Sequence, residues 1–379
     1  MRERSRVRQA ARPWARGTLV SIDAGTRTVM CTRGTMRGER RPAPRGRRAA
    51  ALSTAIGLLV LPAVGGTLVV KDNLYAVKAM GDTEAWAVGN FGSIYHTRDA
   101  GKTWQSRESG TKNPLFGVDF ADGTHGWAVG KSSSILHTAD GGATWQAQRS
   151  AIPSEKHLFN VDALDANTAW VVGDWGAIET THDGGTTWTD RSLENDVVLY
   201  DVVFPDRRHG YIAGEFGTIL ATTDGGETWE KREVGTEKTL FGLSFSTPEK
   251  GWAVGIDGLI LRTRDGGRTW DVQRGSEQAE QLDELGFMET LKNPGFYDVR
   301  VSGQYGVVVG DTGSLLTTTD GGETWTRYAL PEKQRLVWMR GASLAGEHGF
   351  VVGANGFSAA IDRGRVLLPG GGTATVSED

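Results

Sequence analysis

Thr138-Ala139-Asp140-Gly141-Gly142-Ala143-Thr144-Trp145 is the stretch that decides the fold, because the chain repeats it. The same turn motif, an aspartate followed by one or two glycines and a Thr-Trp pair, begins at Asp99, Asp140, Asp183, Asp224, Asp265 and Asp320. The intervals between these aspartates are 41, 43, 41, 41 and 55 residues, and such a fixed period indicates a repeat architecture. A degraded copy without the Thr-Trp pair follows at Ile361-Asp362-Arg363-Gly364.

The chemistry of the turn motif is that of a structural turn. An aspartate accepts hydrogen bonds from nearby backbone N–H groups, and glycine adopts φ > 0 without steric cost. The tryptophan then begins the next strand and offers a large apolar face. Because near-identical copies cannot all form one active site, we interpret the aspartates as structural and not as catalytic acids. We expect Trp145, Trp188, Trp229 and Trp270 to be core residues between neighbouring repeats.

The third repeat contains four short strand patterns. Residues 158–163, 169–173 and 177–181 read as strands, and a fourth begins at Trp188. A tight hairpin at 174–176 joins the second strand to the third. Four strands per period, each bounded by turn residues, are the pattern of a propeller blade.

The other repeats align with the third. Their first strands begin at Leu74-Tyr75, Leu115-Phe116, Leu199-Tyr200, Leu240-Phe241, Phe296-Tyr297 and Val337-Trp338. The sequence therefore predicts an all-β fold, a seven-bladed β-propeller of four-stranded antiparallel blades over residues 66–379. A closed ring removes most exposed sheet edges. We expect residues 66–70 to contribute to closure beside the last blade.

The loops of such a propeller alternate between two faces of the disk. The turn motifs share one face with the first-to-second turns, and the second-to-third hairpins share the other with the blade-to-blade loops. Phe91, Trp175 and Phe216 lie at hairpin tips. Varied loops with aromatic anchors favour recognition, so we predict a partner surface there. The alternative, that these tips are simply packed, stays open.

The insertion at 276–294 is predicted to be a helix with one apolar face. Leu282, Leu285, Met288 and Leu291 recur at threes among acidic residues. In one interpretation this helix packs on the rim of the disk. In the other it docks a partner, with Leu285 and Met288 as contacts.

The innermost strands should line a central tunnel. Polar residues of one parity are expected to face it, among them Lys78, Asp119, Asp162, Asp201, Asp298 and Arg300. Four aspartates could hold a cation through oxygen ligands. A wet tunnel in which the two bases balance the acids is the preferred interpretation, and we predict neither a metal nor another cofactor.

Charge divides the chain into two regions. Residues 1–65 contain 14 arginines, no lysine and three acids, a net charge of +11, which leaves −15 for the remainder. Residues 1–48 have the composition of a disordered, arginine-rich segment. The acidic remainder favours a basic partner and disfavours nucleic acid and anionic lipid.

An export signal is predicted at 49–65. A basic run at 45–48 precedes an apolar stretch of about 16 residues that ends in small residues, the pattern of a signal-peptide h-region or of an uncleaved N-terminal anchor. Met36 would start a more ordinary signal peptide than Met1. Cys31, the single cysteine, precedes the expected cleavage point, so we expect packing and not disulfides to hold the domain. The predicted location is the periplasm or the outer face of the inner membrane.

The turn motif resembles the Asp-box, or BNR repeat. Its pairing with signals such as Gly126-Trp127-Ala128-Val129-Gly130 over residues 68–368 is similar to the photosystem II stability/assembly factor family. The resemblance implies an exported, non-enzymatic propeller. In photosynthetic organisms, the resemblance implies a chaperone that binds a reaction-centre subunit through an arginine-rich patch of its own. In non-photosynthetic bacteria, it implies a scaffold that is often linked to transporters. No such patch maps onto this sequence. We expect a monomer that binds a protein client, either a membrane-complex subunit or a transporter component.

Sialidases and other glycoside hydrolases supply the competing interpretation. Sialidases also have Asp-boxes, but their Arg-Ile-Pro signature is absent here, and Tyr200 and Tyr305 are isolated nucleophile candidates. Asp162 and Asp201, on adjacent inner strands, could serve as the carboxylate pair of a glycosidase. Because no catalytic set is assembled, we predict a non-enzyme with no catalytic residues and keep the hydrolase as the alternative.

Overall fold

The fold is a closed ring of β-sheets. A computed structural model describes residues 70–275, 294–368, 372 and 374–376. These residues form seven antiparallel sheets, each built from four consecutive strands, which confirms the predicted seven-bladed propeller.

Some sequence predictions lie outside the described residues. They are the disordered segment 1–48, the signal or anchor 49–65, and the insertion helix except for Pro294. In the part of the chain that the structure describes, no helix is long and apolar enough to cross a membrane.

The first four blades follow the repeats in order. Blade 1 contains β1 (Leu74–Ala79), β2 (Ala85–Gly89), β3 (Ile94–Thr97) and β4 (Gln105–Arg107). Blade 2 contains β5 (Leu115–Phe120), β6 (Gly126–Gly130), β7 (Ser134–Thr138) and β8 (Gln146–Gln148). Blade 3 contains β9 (Leu158–Ala163), β10 (Ala169–Gly173), β11 (Ile178–Thr181) and β12 (Thr189–Asp190). Blade 4 contains β13 (Leu199–Val203), β14 (Gly210–Gly214), β15 (Ile219–Thr222) and β16 (Glu230–Arg232).

The last three blades have the same order, and blade 6 gains a fifth strand from the C-terminal segment. Blade 5 contains β17 (Leu240–Phe245), β18 (Gly251–Gly255), β19 (Ile260–Thr263) and β20 (Asp271–Arg274). Blade 6 contains β21 (Phe296–Ser302), β22 (Tyr305–Gly310), β23 (Leu315–Thr318) and β24 (Thr326–Ala329). Blade 7 contains β25 (Met339–Ala345), β26 (His348–Gly353), β27 (Ser358–Asp362) and β28 (Arg365–Leu367). The added strand, β29 (Thr375–Val376), pairs with β24.

The second strand of each blade is buried along nearly its whole length because both of its faces pack against neighbouring blades. This explains apolar runs such as Gly126-Trp127-Ala128-Val129-Gly130, in which every residue is buried. The terminal glycine is needed for close approach, since a Cβ on Gly130 would lie 2.1 Å from the Pro114 carbonyl oxygen.

Each complete turn motif is closed by its own aspartate. In blade 2, Asp140 Oδ1 accepts a hydrogen bond from the Thr144 N–H at 2.8 Å, and Oδ2 accepts one from the Thr144 hydroxyl at 2.6 Å. These bonds and one from the Thr138 hydroxyl lower the pKa of Asp140 to about 2. The same pair of bonds recurs at the five other aspartates, Asp99, Asp183, Asp224, Asp265 and Asp320.

The hydrophobic core is divided into seven wedges, one between each pair of neighbouring blades. Between blades 1 and 2, Trp145 packs edge-to-face with Trp86 and with Phe120, at ring-centroid distances of 6.1 and 5.8 Å. Trp145 and Trp188 are buried as expected, whereas Trp229 and Trp270 are only partly buried. Both still pack against the wedges between blades, Trp229 between blades 3 and 4 and Trp270 between blades 4 and 5, so the predicted position is confirmed but the burial of these two is incomplete.

On each face of the disk, backbone hydrogen bonds connect the loops that were assigned to that face. On the box face, defined by the Asp-box turns and the first-to-second turns, the Gly141 N–H donates to the Thr124 carbonyl at 2.9 Å. On the hairpin face, defined by the second-to-third hairpins and the blade-to-blade loops, the Gly217 N–H donates to the Lys238 carbonyl at 3.1 Å. The face assignment made from the sequence therefore agrees with the structure.

The ring closes between blade 7 and blade 1 by packing and isolated hydrogen bonds. The Ala79 N–H donates to Ser343 Oγ at 3.0 Å, and the Gly356 N–H donates to the Asp72 carbonyl at 2.8 Å. Of the segment 66–70, only Val70 is described, and it is buried in this wedge outside any strand.

Replacing a buried box tryptophan tests the wedge packing. We expect Trp145→Ala to lower the free energy of unfolding by roughly 3–5 kcal/mol because it empties a site between two blades. Trp229→Ala, where the ring is already partly exposed, should cost less. Chemical denaturation of both variants measures the difference. Unchanged stability in both would show that the box tryptophans do not hold the blades together.

Candidate functional site

Two cavities follow one another along the axis of the ring, between the innermost strands β1, β5, β9, β13, β17, β21 and β25. The larger, of about 700 Å³, lies towards the hairpin face and includes Trp338 and Asp311 in its lining. The smaller, of about 230 Å³, lies towards the box face and includes Lys78 and Asp162. Asn160 and Arg300 are among the residues that line both cavities.

A β-bulge near the start of every innermost strand shapes the entrance of the larger cavity. In blade 1, Leu74 pairs with Gly89 and Ala76 with Val88, so Tyr75 is the extra residue. A bulge re-aims the side chain that it carries. The same shift occurs in the other six blades. The extra residues are Tyr75, Phe116, Phe159, Tyr200, Phe241, Tyr297 and, in blade 7, Arg340.

The six aromatic extra residues form an almost continuous ring. Neighbouring side chains from Tyr75 round to Tyr297 have their centroids between 4.9 and 5.7 Å apart. Such distances are typical of favourable aromatic pairs. The first strand of blade 7 begins at Met339 and not at Val337-Trp338, so our sequence alignment of this blade was wrong by two residues.

Arg340 and Trp338 complete the ring in blade 7. The Arg340 guanidinium lies 4.5 Å from the Tyr297 ring centroid and 5.8 Å from that of Trp338. Trp338 in turn stacks on Tyr75 at 5.7 Å. We call this set of eight residues the aromatic mouth; it consists of Tyr75, Phe116, Phe159, Tyr200, Phe241, Tyr297, Trp338 and Arg340.

Below the aromatic mouth, polar side chains of one blade bind the backbone of the next. Asp119 Oδ2 accepts a hydrogen bond from the Ala163 N–H at 2.8 Å. Asp162, Asp201 and Asp298 accept equivalent bonds from Phe204, Leu243 and Ala342 at 2.6, 2.7 and 2.8 Å. Ser244 and Ser343 do the same for Val301 and Ala79. We call these six contacts the interblade bonds.

The charged residues predicted for the tunnel lie along the axis. Lys78 pairs with Asp119, and Arg300 Nη1 lies 3.3 Å from both Asp201 Oδ2 and Asp298 Oδ1. Four acids therefore face two bases. Asp298 is 7% exposed, and its Oδ1 receives no hydrogen bond from the described residues despite the nearby Arg300.

Burial raises the pKa of three tunnel carboxyls, those of Asp162, Asp201 and Asp298. Desolvation, together with the Asp119 carboxylate, raises the pKa of Asp162 to about 7. Desolvation also raises the pKa of Asp298 to about 7, although Arg300 opposes the shift. Burial by itself would lower the pKa of Arg300, but Asp298 and Asp201 raise it above its ordinary value.

The hairpin tips present three exposed aromatic side chains. Phe91, Trp175 and Phe216 are 73%, 51% and 66% exposed. Their φ angles are 58°, 51° and 55°, in the left-handed region that favours glycine. They lie in blades 1, 3 and 4 on the hairpin face. Leu285 and Met288, predicted as further partner contacts, lie outside the described residues.

Both acids of the candidate glycosidase pair have partners in the ring. Asp162 and Asp201 each use one oxygen in an interblade bond, and Asp201 also contacts Arg300 and the Asn160 amide. Among the described residues, no group of three or more His, Cys, Asp or Glu side chains is arranged to hold a metal ion.

The aromatic mouth was not predicted from the sequence. The sequence feature that corresponds to it is the pair of an apolar and an aromatic residue at the start of most inner strands. Strict alternation places the aromatic of each pair on the side opposite the tunnel residues, and only the bulge turns it towards the axis.

Comparison with known proteins identifies the repeat type. A family model described as Photosynthesis system II assembly factor YCF48 matches residues 104–197, 187–239 and 232–336, more than half of the chain. The structure of YCF48 bound to D1 peptide is similar at 22% identity and a TM-score of 0.62, covering 78% of this chain and 93% of that one. YCF48 from Cyanidioschyzon merolae is similar at 20% identity and a TM-score of 0.60, covering 78% and 97%.

Part of a hydrolase has a similar fold. The GH74 xyloglucanase from Xanthomonas campestris is similar at 13% identity and a TM-score of 0.60, covering 78% of this chain and 52% of that one. At these identities the structural likeness shows the fold alone. No curated protein matches the sequence.

The raised pKa values predict how stability depends on pH. Between about pH 4 and 7 the folded chain binds more protons at Asp162 and Asp298 than the unfolded chain, so stability should rise as the pH falls through this range. Asp162→Asn keeps an oxygen for the Phe204 N–H but cannot titrate. We expect a smaller rise in Tm between about pH 7 and 5 for this variant than for the unmodified chain, as measured by calorimetry.

Below about pH 4 the trend should reverse. The pKa values of Asp140, Asp224 and Asp320 are lowered to about 2, so the stability that these turns contribute is lost as they become protonated. If the Tm of the Asp162→Asn variant changes with pH in the same way as the Tm of the unmodified chain, the raised pKa of Asp162 is contradicted.

Proposed function

The chain belongs to the family of the photosynthesis system II assembly factor YCF48, and we propose that it is a non-enzymatic scaffold that binds a protein client during assembly of a membrane complex. The observation that carries the proposal is the set of exposed, strained aromatics on the hairpin face. A similar structure holds a D1 peptide, which supports a peptide segment as the form in which the client is bound. The client would be a membrane-complex subunit or a transporter component.

The hairpin-tip aromatics are costly for the free protein. A left-handed backbone costs a residue with a Cβ on the order of 1–2 kcal/mol, and only glycine, asparagine and aspartate adopt it readily. Asp257 and Asn355 occupy the equivalent tips of blades 5 and 7. Phe91, Trp175 and Phe216 have the same left-handed backbone, which is strained for these residue types, and they also expose large apolar surfaces. Burial against a client would recover that apolar area.

Trp175 and Phe216 form the centre of the proposed surface because they lie on neighbouring blades. The Lys156 ammonium donates to the Trp175 carbonyl at 3.0 Å, which helps to fix that tip. Glu215 directly precedes Phe216, and residues 66–379 carry a net charge of −15. Acidic groups beside aromatic anchors favour a basic segment of the client.

Export is part of the proposal. The basic run and the apolar stretch at 49–65 support delivery to the periplasm or to the outer face of the inner membrane, with or without a retained anchor. Fractionation of cells that express the full chain tests this location. Recovery of the chain only in the cytoplasm would rule it out.

A carbohydrate-active hydrolase is the alternative, and the fold shared with a xyloglucanase is the observation that favours it. Fold alone does not determine function. The interblade bonds of Asp162 and Asp201 argue against free catalytic acids. We expect no turnover of xyloglucan or sialosides by the purified chain. Turnover that is abolished by Asp162→Asn or Asp201→Asn would establish the hydrolase instead.

Removing two hairpin-tip aromatics tests the client surface. We expect Trp175→Ala combined with Phe216→Ala to reduce capture of the native client at least about tenfold, because aromatic anchors supply much of the binding energy. Capture is measured by pull-down from cells that produce the chain, with the retained proteins identified by mass spectrometry. A deletion of 278–291 tests the predicted contribution of Leu285 and Met288.

The matched control changes apolar side chains away from the hairpin tips. Val272 and Leu367 are exposed residues on the outer strands β20 and β28, so Val272→Ala with Leu367→Ala should leave capture unchanged. All variants should keep the Tm of the unmodified chain. Full capture by the tip variant, together with loss on altering the box face, would place the client on the opposite side of the disk.

A further inference from the structure

We infer that the aromatic mouth binds a cationic side chain, an arginine or lysine presented by the client segment. The inference rests on the proposed function for the source of that side chain. It assigns a ligand chemistry to the larger tunnel cavity, which lies on the same face as the hairpin-tip aromatics but is lined by different residues.

The cavity has the dimensions and lining of a ligand site. Its volume of about 700 Å³ falls within the range of small-molecule pockets. Aromatic faces attract cations placed within about 6 Å of the ring centroid. Arg340 already uses the rings of Tyr297 and Trp338 in this way. The remaining rings have no described cation over them, and the alkyl stem of an incoming arginine or lysine could pack against them.

The floor of the cavity carries carboxylates that suit a cationic head group. Asp201 and Asp298 line it, and both are more than nine-tenths buried. Asp298 Oδ1 lies 3.3 Å from Arg300 Nη1 but receives no hydrogen bond from the described residues, so it can also accept one from an incoming guanidinium or ammonium. Arg300 Nη1 is shared between Asp201 and Asp298, so one guanidinium faces two buried carboxylates. Aromatic walls above such a floor complement a long cationic side chain.

The charges around the cavity also favour a cation. On the tunnel side, Asp119, Asp162, Asp201 and Asp298 face only Lys78 and Arg300. At the rim, Glu215 and Asp311 lie near Tyr200 and Tyr297, and Arg340 is the cation that lines the cavity beside them. Arg340 lies against one side of the ring and leaves the rings of blades 1 to 5 open. The balance of these groups is negative.

This balance couples binding to pH. The raised pKa of Asp298 means that a share of its carboxyl groups is protonated near neutral pH. A bound cation favours the ionised form, so binding must release that proton. The affinity should therefore increase as the pH rises from about 6 to 8.

Short blocked peptides provide the probe. The full chain is labelled with fluorotryptophan, and the fluorine resonance of Trp338 is identified by its loss in Trp338→Phe. Acetyl-Gly-Arg-Gly-amide is titrated beside two counterparts in which arginine is replaced by citrulline, its neutral isostere, or by glutamate. We expect a saturable shift with the arginine peptide and at least about fivefold weaker binding of both counterparts.

Two substitutions then distinguish the chemistry. Asp298→Asn keeps an oxygen for the Ala342 N–H and should weaken arginine binding about fivefold or more. Arg340→Gln should strengthen arginine binding, because it removes a like charge from the lining of the cavity. The exposed outer-strand change Asp190→Asn is the matched control and should have no effect. Thermal melting of each variant verifies that it is folded.

Three results would overturn the inference. Preferential binding of the glutamate peptide, lost in Arg340→Gln, would make the mouth an anion site. A shift produced by xyloglucan oligosaccharide and by none of the peptides would make it a sugar site. No shift with any probe would mean that the mouth binds no side chain. Client capture that still depends on Trp175 and Phe216 would then leave the proposed function intact while the cation site fails.

Discussion

The ring depends on hydrogen bonds that connect the innermost strand of one blade to the next. Such a strand pairs with only one neighbour in its own sheet, so the N–H groups on its other side need acceptors. Aspartate or serine side chains of the preceding blade supply them at six of the seven junctions. At the remaining junction Lys78 pairs with Asp119. Because an unsatisfied buried N–H is costly, these acids are committed to holding the ring together.

This use of aspartate determines the electrostatics of the axis. An aspartate is a good acceptor for a neighbouring N–H, but four of them around one narrow channel place like charges close together. Burial, together with the neighbouring carboxylates, raises the pKa values of Asp162 and Asp298, and Lys78 and Arg300 oppose that rise only in part. The same residues that close the ring therefore make the tunnel receptive to positive charge. Structural and recognition roles overlap in them, which is why an acidic propeller axis by itself does not indicate catalysis.

The two faces of the disk have different freedom to vary. On the box face, each aspartate satisfies its own turn with both carboxylate oxygens, so a change there removes bonds that the blade needs. On the hairpin face, the tip residue only has to tolerate a positive φ, and Phe91, Ser132, Trp175, Phe216, Asp257, Thr312 and Asn355 all occupy that position. The face with freedom to vary carries the exposed aromatics and the aromatic mouth. A rigid ring with one variable face suits a protein that binds clients.

The sequence by itself determined the number of blades, the order of their strands and the assignment of loops to faces. These features follow from local rules: the period of the Asp-box, the alternation along short strands and the turn residues between them. The alternation also located the tunnel residues such as Asp119 and Arg300. The sequence could not determine which of these acids would be raised in pKa, because that depends on how closely seven strands approach one another around the axis.

Only the tertiary structure decided the aromatic mouth. Tyr75 and its equivalents read as buried residues by strict alternation, and a bulge in each inner strand turns them towards the axis. The bulge arises from pairing with the second strand and leaves no separate mark in the sequence. The same limit explains the error in blade 7, where Val337-Trp338 resembles the opening pair of a strand, but pairing with β26 starts the strand at Met339 and places Arg340 in the ring. Alternation can be read from one repeat and the period from comparing repeats along the chain, whereas register and bulges are settled by the partner strand.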